Sequence, residues 1–90
     1  MLNNIMGDRG EVKLYAVSTC LHCKALMEFL ELNQVDFSFV NVDELEGSAR
    51  REMVKEVKEF NKRCTFPTLV VGDKVVVGFR EEEVRVTLRI

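Results

Sequence analysis

Two cysteines separated by two residues, Cys20 and Cys23, lie where a predicted strand leads directly into a predicted helix. The strand formers of Val12–Val17 precede the pair. Apolar residues follow it at the spacing of three and four that indicates an amphipathic helix. They are Cys23, Leu26, Met27 and Leu30, with Ala25, Phe29 and Leu32 widening the face. Ser18 and Thr19 are predicted to cap this helix. The chain is thereby restricted to folds in which a strand turns sharply into a helix.

A second strand and a second helix follow the first pair. Apolar and polar residues alternate over Phe37–Val42, which predicts a strand. Asp43, with Glu46 three residues later, has the pattern of a capping box. An apolar stripe among interleaved charges then predicts a helix that begins near Ser48 and ends near Asn61. The chain therefore begins with a βαβ unit, whose strands should be parallel and whose crossover should be right-handed.

The last third of the chain predicts a hairpin and a short helix. Thr68–Val71 and Lys74–Val77 are β-branched runs joined by Gly72-Asp73, a strong hairpin signal. Val84 and Leu88 fit a helix, whereas residues 85–90 alternate as in a strand, and a short helix that starts near Arg80 is the favoured prediction. The predicted fold class is α/β, with a four-stranded mixed sheet flanked by three helices.

Length and composition favour one small globular domain. The 90 residues are 47% hydrophobic and 31% charged, and the formal net charge is −2. Clustered Lys and Arg, which nucleic acids and anionic membranes require, are missing, and no apolar run is long enough for a membrane span. Residues 1–10 lack a signal-peptide pattern and are predicted to form a flexible leader before a domain of residues 11–90. We expect a cytoplasmic monomer.

The position of the cysteine pair points to redox chemistry. Free backbone N–H groups and the positive end of the helix dipole stabilise a thiolate at a helix N-terminus. The thiolate is the attacking species in disulfide exchange. Cys20 is therefore the predicted nucleophile, and Cys23, one turn later, is the predicted resolving thiol. Three cysteines in total are too few for a structural disulfide framework.

A metal or iron–sulfur binding module is the alternative of another class. Zinc requires about four ligands, and the chain offers three cysteines and His22, its only histidine. His22 lies inside the motif and should point away from a site shared by both cysteines. Copper-type metallochaperones also carry a two-residue cysteine spacing, but they place a hairpin after the first helix. We therefore predict no metal ligands.

The chain resembles the glutaredoxin and thioredoxin superfamily through a second motif. Thr65-Phe66-Pro67 holds the only proline and precedes the hairpin, and it is similar to the Thr-x-Pro segment of that family. The resemblance implies a thioredoxin fold with sheet order 2-1-3-4. It also implies that Pro67 is cis, lies against the cysteines and belongs with Cys20 and Cys23 to the catalytic residues. The expected redox group is a Cys20–Cys23 disulfide, with no bound cofactor.

Departures from the glutaredoxin pattern indicate which branch the chain resembles. Glutaredoxins bind glutathione through a lysine three residues before the first cysteine, where this chain has Val17. Their Gly-Gly-x-Asp segment is replaced by Val-Gly-Phe-Arg-Glu at residues 77–81, which is similar to the Ser-Gly-Phe-Arg segment of NrdH-type redoxins. We therefore predict an electron carrier that reduces protein disulfides and is recharged by a thioredoxin-reductase-like enzyme. A glutathione-dependent glutaredoxin, with a glutathione-linked reductant, is the alternative.

Further residues are expected around the cysteines. Those predicted to contact substrate are Leu21, His22, Thr65, Phe66, Gly78 and Phe79, and the accessory candidates are Cys64 and Lys24. A histidine between two such cysteines can also stabilise the thiolate and raise the redox potential. Side chains alternate in direction along an extended segment. Counting back from Pro67 therefore turns Cys64 toward the core.

Overall fold

The computed structural model describes residues 11–90, so the predicted leader of residues 1–10 lies outside the described residues. The elements are β1 (Val12–Ala16), α1 (Leu21–Leu32), β2 (Ser38–Asn41), α2 (Gly47–Phe60), β3 (Thr68–Val71), β4 (Lys74–Val77) and α3 (Glu81–Leu88). A single 3₁₀ turn, Val42–Glu44, links β2 to α2. Within residues 11–90, no helix is long and apolar enough to cross a membrane.

The four strands form one mixed sheet in the order β2-β1-β3-β4. β1 runs parallel to β2 and antiparallel to β3, and β4 completes the hairpin with β3. This arrangement confirms the predicted thioredoxin fold, in which three helices flank a sheet of order 2-1-3-4. The central strands are β1 and β3. The C-terminal end of β1 leads to Cys20, and the N-terminal end of β3 follows Pro67, so both strands border the predicted site.

Each face of the sheet packs against its own helices because successive side chains of a strand point to opposite faces. The first cluster joins one face to α1 and α3. Its buried members are Val12, Leu14, Ala16, Cys23, Leu26, Leu30, Val35, Leu69, Val71, Val76, Val84 and Leu88. The second cluster joins the other face to α2, and its buried members are Tyr15, Val42, Val57 and Val70. Cys23 therefore belongs to the core on the α1 side of the sheet.

The apolar face of α1 is narrower than its sequence predicts. Leu32 is 82% exposed and Ala25 is also exposed, while Leu26 and Leu30 are fully buried. The sheet and α3 cover only the stripe that contains Leu26 and Leu30, so the flanking apolar residues remain in solvent. Leu32 and Ala25, which the sequence assigns to the apolar face of α1, therefore lie outside the core.

Candidate active site

Cys20 itself caps the N-terminus of α1. Its backbone N–H donates to the Val17 carbonyl at 3.1 Å, which closes the turn after β1. Its Sγ accepts the Cys23 backbone N–H at 3.2 Å. The prediction that Ser18 or Thr19 caps this helix was therefore wrong. The sulfur lies where unsatisfied N–H groups and the helix dipole favour negative charge.

Ser18 is engaged elsewhere, with Asp43 in the 3₁₀ turn after β2. The Ser18 backbone N–H donates to Asp43 Oδ1 at 2.8 Å, and its hydroxyl donates to Asp43 Oδ2 at 2.5 Å. These hydrogen bonds, aided by the charge of Arg50, lower the pKa of the Asp43 carboxyl below its ordinary value. Asp43 therefore does not begin a capping box, because both its carboxylate oxygens hold the loop that leads to Cys20.

The two cysteines of the pair differ in their surroundings. Cys20 is half-buried, whereas Cys23 is only 1% exposed and packs in the first cluster. Burial, followed by a hydrogen bond to Cys20, raises the pKa of the Cys23 thiol to about 12, although a backbone hydrogen bond of Val17 opposes this shift. All three cysteines of the chain are free thiols. Cys23 therefore holds its proton while Cys20 is the accessible sulfur.

The segment Thr65–Pro67, called the proline loop below, lies beside Cys20. The Phe66–Pro67 peptide bond is cis, and the Cys20 thiol donates to the Phe66 carbonyl at 4.0 Å. The Gly78 backbone N–H donates to the Pro67 carbonyl at 2.8 Å. Gly78 has a φ of +83°, a conformation that favours glycine. The end of β4 thus holds the proline loop against the cysteine that caps α1.

The residues predicted to contact substrate differ in their exposure to solvent. Leu21 is 76% exposed, and His22 and Lys24 are exposed on the first turn of α1. Phe79 is half-buried and its ring lies 5.6 Å from that of Phe29 on α1. Leu21 is consequently available to another molecule, whereas Phe79 contributes to the packing between α1 and the start of α3.

Phe66 occupies an unusual position between the two cores. It is half-buried and packs against both the first and the second cluster. Thr65, beside it, is exposed. The backbone of the proline loop therefore passes over the end of the sheet, where both layers contact it.

Cys64 lies on the α2 side of the sheet, away from the cluster that holds Cys23. It is half-buried and packs against the second cluster. The predicted direction is correct, but the extended backbone assumed for it is not. Cys64 has a φ of +53°, in the left-handed region, and its backbone N–H donates to the Asn61 carbonyl at 2.8 Å. A tight turn after α2, rather than strand alternation, sets its direction.

Asn61 is the residue near the site that sequence reasoning missed, because it was interpreted only as the end of α2. It is 7% exposed, and its side-chain amide donates to Thr65 and Thr68. A polar residue at a helix end is usually solvated, so its type and position gave no signal of burial. Asp43 was likewise assigned a role in its own helix, since its contact with Ser18 joins residues 25 positions apart.

Within the range 11–90, no three His, Cys, Asp or Glu side chains are grouped so that they could hold a metal ion.

Comparison with known proteins places this arrangement in a family. The sequence model of the glutaredoxin family matches residues 12–76. This chain belongs to the glutaredoxin family. It is also 31% identical, over 73 residues, to an uncharacterized glutaredoxin-like 8.6 kDa protein in the rubredoxin operon of Clostridium pasteurianum. That match covers 81% of this chain and 91% of the relative.

Solved structures of two glutaredoxins and of a methanoredoxin are similar to this chain in fold and in sequence. A glutaredoxin from Methanosarcina mazei Go1 is 43% identical with a TM-score of 0.84, covering 91% of this chain and 81% of that one. The glutaredoxin grx-1 from Archaeoglobus fulgidus is 36% identical with a TM-score of 0.85, covering 100% and 98%. Methanoredoxin from Methanosarcina acetivorans is 37% identical with a TM-score of 0.86, covering 91% and 87%. Membership of the glutaredoxin family implies thiol oxidoreductase activity in general.

Proposed function

We propose that this glutaredoxin is a dithiol electron carrier that reduces protein disulfides. The observation that carries the proposal is the unequal environment of its two thiols. Cys20 Sγ caps α1 and accepts the Cys23 N–H at 3.2 Å, whereas burial raises the pKa of Cys23 to about 12. One sulfur is therefore suited to attack and the other to wait as a protonated thiol.

The reaction divides into two thiol–disulfide exchanges. The Cys20 thiolate attacks one sulfur of the substrate disulfide, so that a mixed disulfide forms and one substrate thiolate leaves. Cys23 then passes its proton to that departing thiolate and attacks Cys20 Sγ. The Cys20–Cys23 disulfide forms and the second substrate sulfur leaves as a thiolate, which takes a proton from solvent, so two electrons have moved to the substrate. A dithiol of the reductase restores the pair by the reverse sequence.

The surroundings of Cys20 suit an extended peptide. Leu21 is 76% exposed beside the sulfur, and the backbone of Thr65 and Phe66 runs past it in the proline loop. An extended substrate can pair with such a backbone by β-type hydrogen bonds, which give affinity with little dependence on side chains. Protein disulfides in flexible segments are accordingly the proposed substrates.

The charges near the site favour a protein reductant over glutathione. Val17 offers no cation for the carboxylates of glutathione. The first turn of α3, which follows Gly78 and Phe79, carries Glu81, Glu82 and Glu83. Carboxylates at a helix N-terminus offset the attraction that its dipole exerts on anions. Glu81 and Glu83 are paired with Arg85 and Arg80, so this turn adds little net positive charge that could attract the carboxylates of glutathione. We propose a thioredoxin-reductase-like enzyme as the electron donor.

Paired turnover assays test the proposal. NADPH oxidation is followed with insulin as the disulfide substrate, once with thioredoxin reductase and once with glutathione and glutathione reductase. We expect the thioredoxin-reductase system to support the faster turnover and Cys20→Ser to abolish it. Faster turnover with glutathione would assign the protein to the glutathione-dependent branch. Loss of activity with both reductants would contradict the electron-carrier function.

A further inference from the structure

A buried amide at the end of α2 connects the far side of the sheet to the proline loop. Asn61 is the C-terminal cap of α2, and its backbone N–H donates to the Val57 carbonyl at 2.8 Å. Its side chain is 7% exposed, so water cannot readily replace the partners of its amide. A buried polar group that loses its partners costs more free energy than an exposed one, because it stays desolvated.

Both ends of the Asn61 amide make hydrogen bonds. Its Nδ2 donates to Thr65 Oγ1 at 2.9 Å, to Thr68 Oγ1 at 3.0 Å and to the Thr65 carbonyl at 3.2 Å, and its Oδ1 accepts the Arg63 N–H at 3.2 Å. The Thr68 hydroxyl in turn donates to the Thr65 carbonyl at 2.7 Å. The amide N–H groups therefore donate to oxygen atoms of Thr65, the first residue of the proline loop, and of Thr68, the residue that follows the loop.

We propose that Asn61 is a positioning residue that sets the proline loop against Cys20. The loop is held at its two ends, by Asn61 at Thr65 and by the Gly78 N–H at the Pro67 carbonyl. Between these points lies the Phe66 carbonyl, 4.0 Å from Cys20 Sγ. Asn61 acts through these residues on the backbone that receives a substrate. The inference rests on the proposed reduction of protein disulfides.

The chemistry of the network defines the decisive substitution. Asn61→Asp keeps size and shape, but a carboxylate accepts hydrogen bonds and donates none. Its oxygens would repel the Thr65 carbonyl, and a Thr68 hydroxyl that turned to donate to the carboxylate would no longer donate to that carbonyl. The Thr65 end of the loop would therefore be released. Thr68→Val is a milder second variant, because it removes one acceptor of the amide and the donor to the Thr65 carbonyl while it preserves the shape.

The expected effect distinguishes positioning from general stability. Turnover is driven by dithiothreitol with two substrates, insulin and the small hydroxyethyl disulfide, at a temperature where circular dichroism shows every variant folded. For Asn61→Asp, KM for insulin should rise about tenfold, the order expected for breaking a buried polar network. The kcat of this variant for insulin should change little. Its turnover of hydroxyethyl disulfide should also change little, because that substrate needs no backbone pairing. Thr68→Val should give a smaller rise in KM.

A control variant removes stability without touching the loop. Val71→Ala shortens a buried side chain at the hairpin end of β3, away from Pro67, and should leave KM for insulin unchanged. An unchanged KM for insulin in Thr68→Val, or equal losses on both substrates in Asn61→Asp, would overturn the assignment. If Asn61→Asp does not fold, Thr68→Val alone decides. Inactivity of the unmodified protein toward insulin would instead contradict the proposed function.

Discussion

At the scale of single residues, the two cysteines of the pair should respond differently to substitution. Cys23→Ser leaves the attacking sulfur in place but removes the resolving thiol, so a mixed disulfide with substrate should accumulate. Cys20→Ser should abolish turnover, and the remaining Cys23 should alkylate slowly at neutral pH, since burial is the main cause of its raised pKa. Mass spectrometry of trapped and alkylated protein measures both outcomes. Faster alkylation of Cys23 than of Cys20 in the unmodified protein would reverse the two roles.

Cys64 should be dispensable for the reaction. It packs against the second cluster, on the opposite face of the sheet from Cys23. We expect Cys64→Ala to retain most of the insulin-reducing activity and to lose about 1 kcal/mol of unfolding free energy, as is typical for trimming a half-buried side chain. Urea unfolding and the turnover assay measure the two effects. A disulfide that includes Cys64 in the oxidised protein would show that a third thiol takes part.

At the scale of secondary-structure elements, Asp43 joins the turn after β2 to the loop before α1. Its pKa is lowered by the Ser18 hydrogen bonds, so its contribution to stability is present above the unfolded pKa of about 3.9 and is lost as pH falls through the lower folded pKa. Asp43→Ala should therefore lower the urea midpoint at neutral pH, and the difference from the unmodified protein should shrink in acid. Asp36→Ala, which removes another exposed aspartate, is the control. A difference that persists unchanged below about pH 3 would contradict this role.

The contact between β1 and α2 can be followed through the only tyrosine of the chain. The Tyr15 hydroxyl donates to Glu56 Oε2, which also receives Lys13 Nζ at 3.2 Å. Burial, followed by this hydrogen bond, raises the pKa of Tyr15. Phenolate absorbance should therefore appear well above pH 10, and the corresponding stability is lost as pH rises through the raised pKa.

Glu56→Gln tests this assignment, because its amide oxygen can still accept the hydrogen bond from the Tyr15 hydroxyl, whereas the negative charge of the carboxylate is removed. We expect a lower phenolate midpoint in the variant, measured by near-ultraviolet absorbance. Glu52→Gln, on an exposed position of the same helix, should leave the midpoint unchanged. Equal midpoints in the unmodified protein and Glu56→Gln would show that the carboxylate contributes nothing to the raised pKa.

At the scale of the whole molecule, the surface around the cysteines should discriminate between electron donors. Val17→Lys supplies a cation three residues before Cys20, where it could meet a carboxylate of glutathione bound at the site. Turnover coupled to glutathione should rise roughly fivefold, the factor that corresponds to about 1 kcal/mol for one charge-assisted contact at an accessible site. Turnover coupled to thioredoxin reductase should rise less. An unmodified protein already as active with glutathione as the Val17→Lys variant would contradict this interpretation.

The sequence predicts the architecture well because local patterns determine each element and their order determines the topology. Strand formers before Cys20 and the hairpin around Gly72 predict the elements, whereas the sheet order was predicted only through the family resemblance that Thr65-Phe66-Pro67 carries. Capping could not be predicted, because Ser18 and Asp43 each fit a local cap and instead bind each other across 25 residues. The role of Asn61 likewise depends on burial by an element that follows it. Local sequence patterns therefore identify the helices and strands, whereas hydrogen bonds between distant residues decide which of the possible capping residues is used.

The turn between β3 and β4 offers an attachment site that is distant from the two active-site cysteines. Thr68 pairs with Val77 at the end of the hairpin near Pro67, whereas Val71 pairs with Lys74 at the other end, beside the exposed turn Gly72-Asp73. A fluorophore, an electrode linker or an inserted peptide attached at that turn would project from the opposite end of the sheet. The thiols would then stay accessible on an immobilised protein, which makes this turn the natural attachment point for a redox sensor.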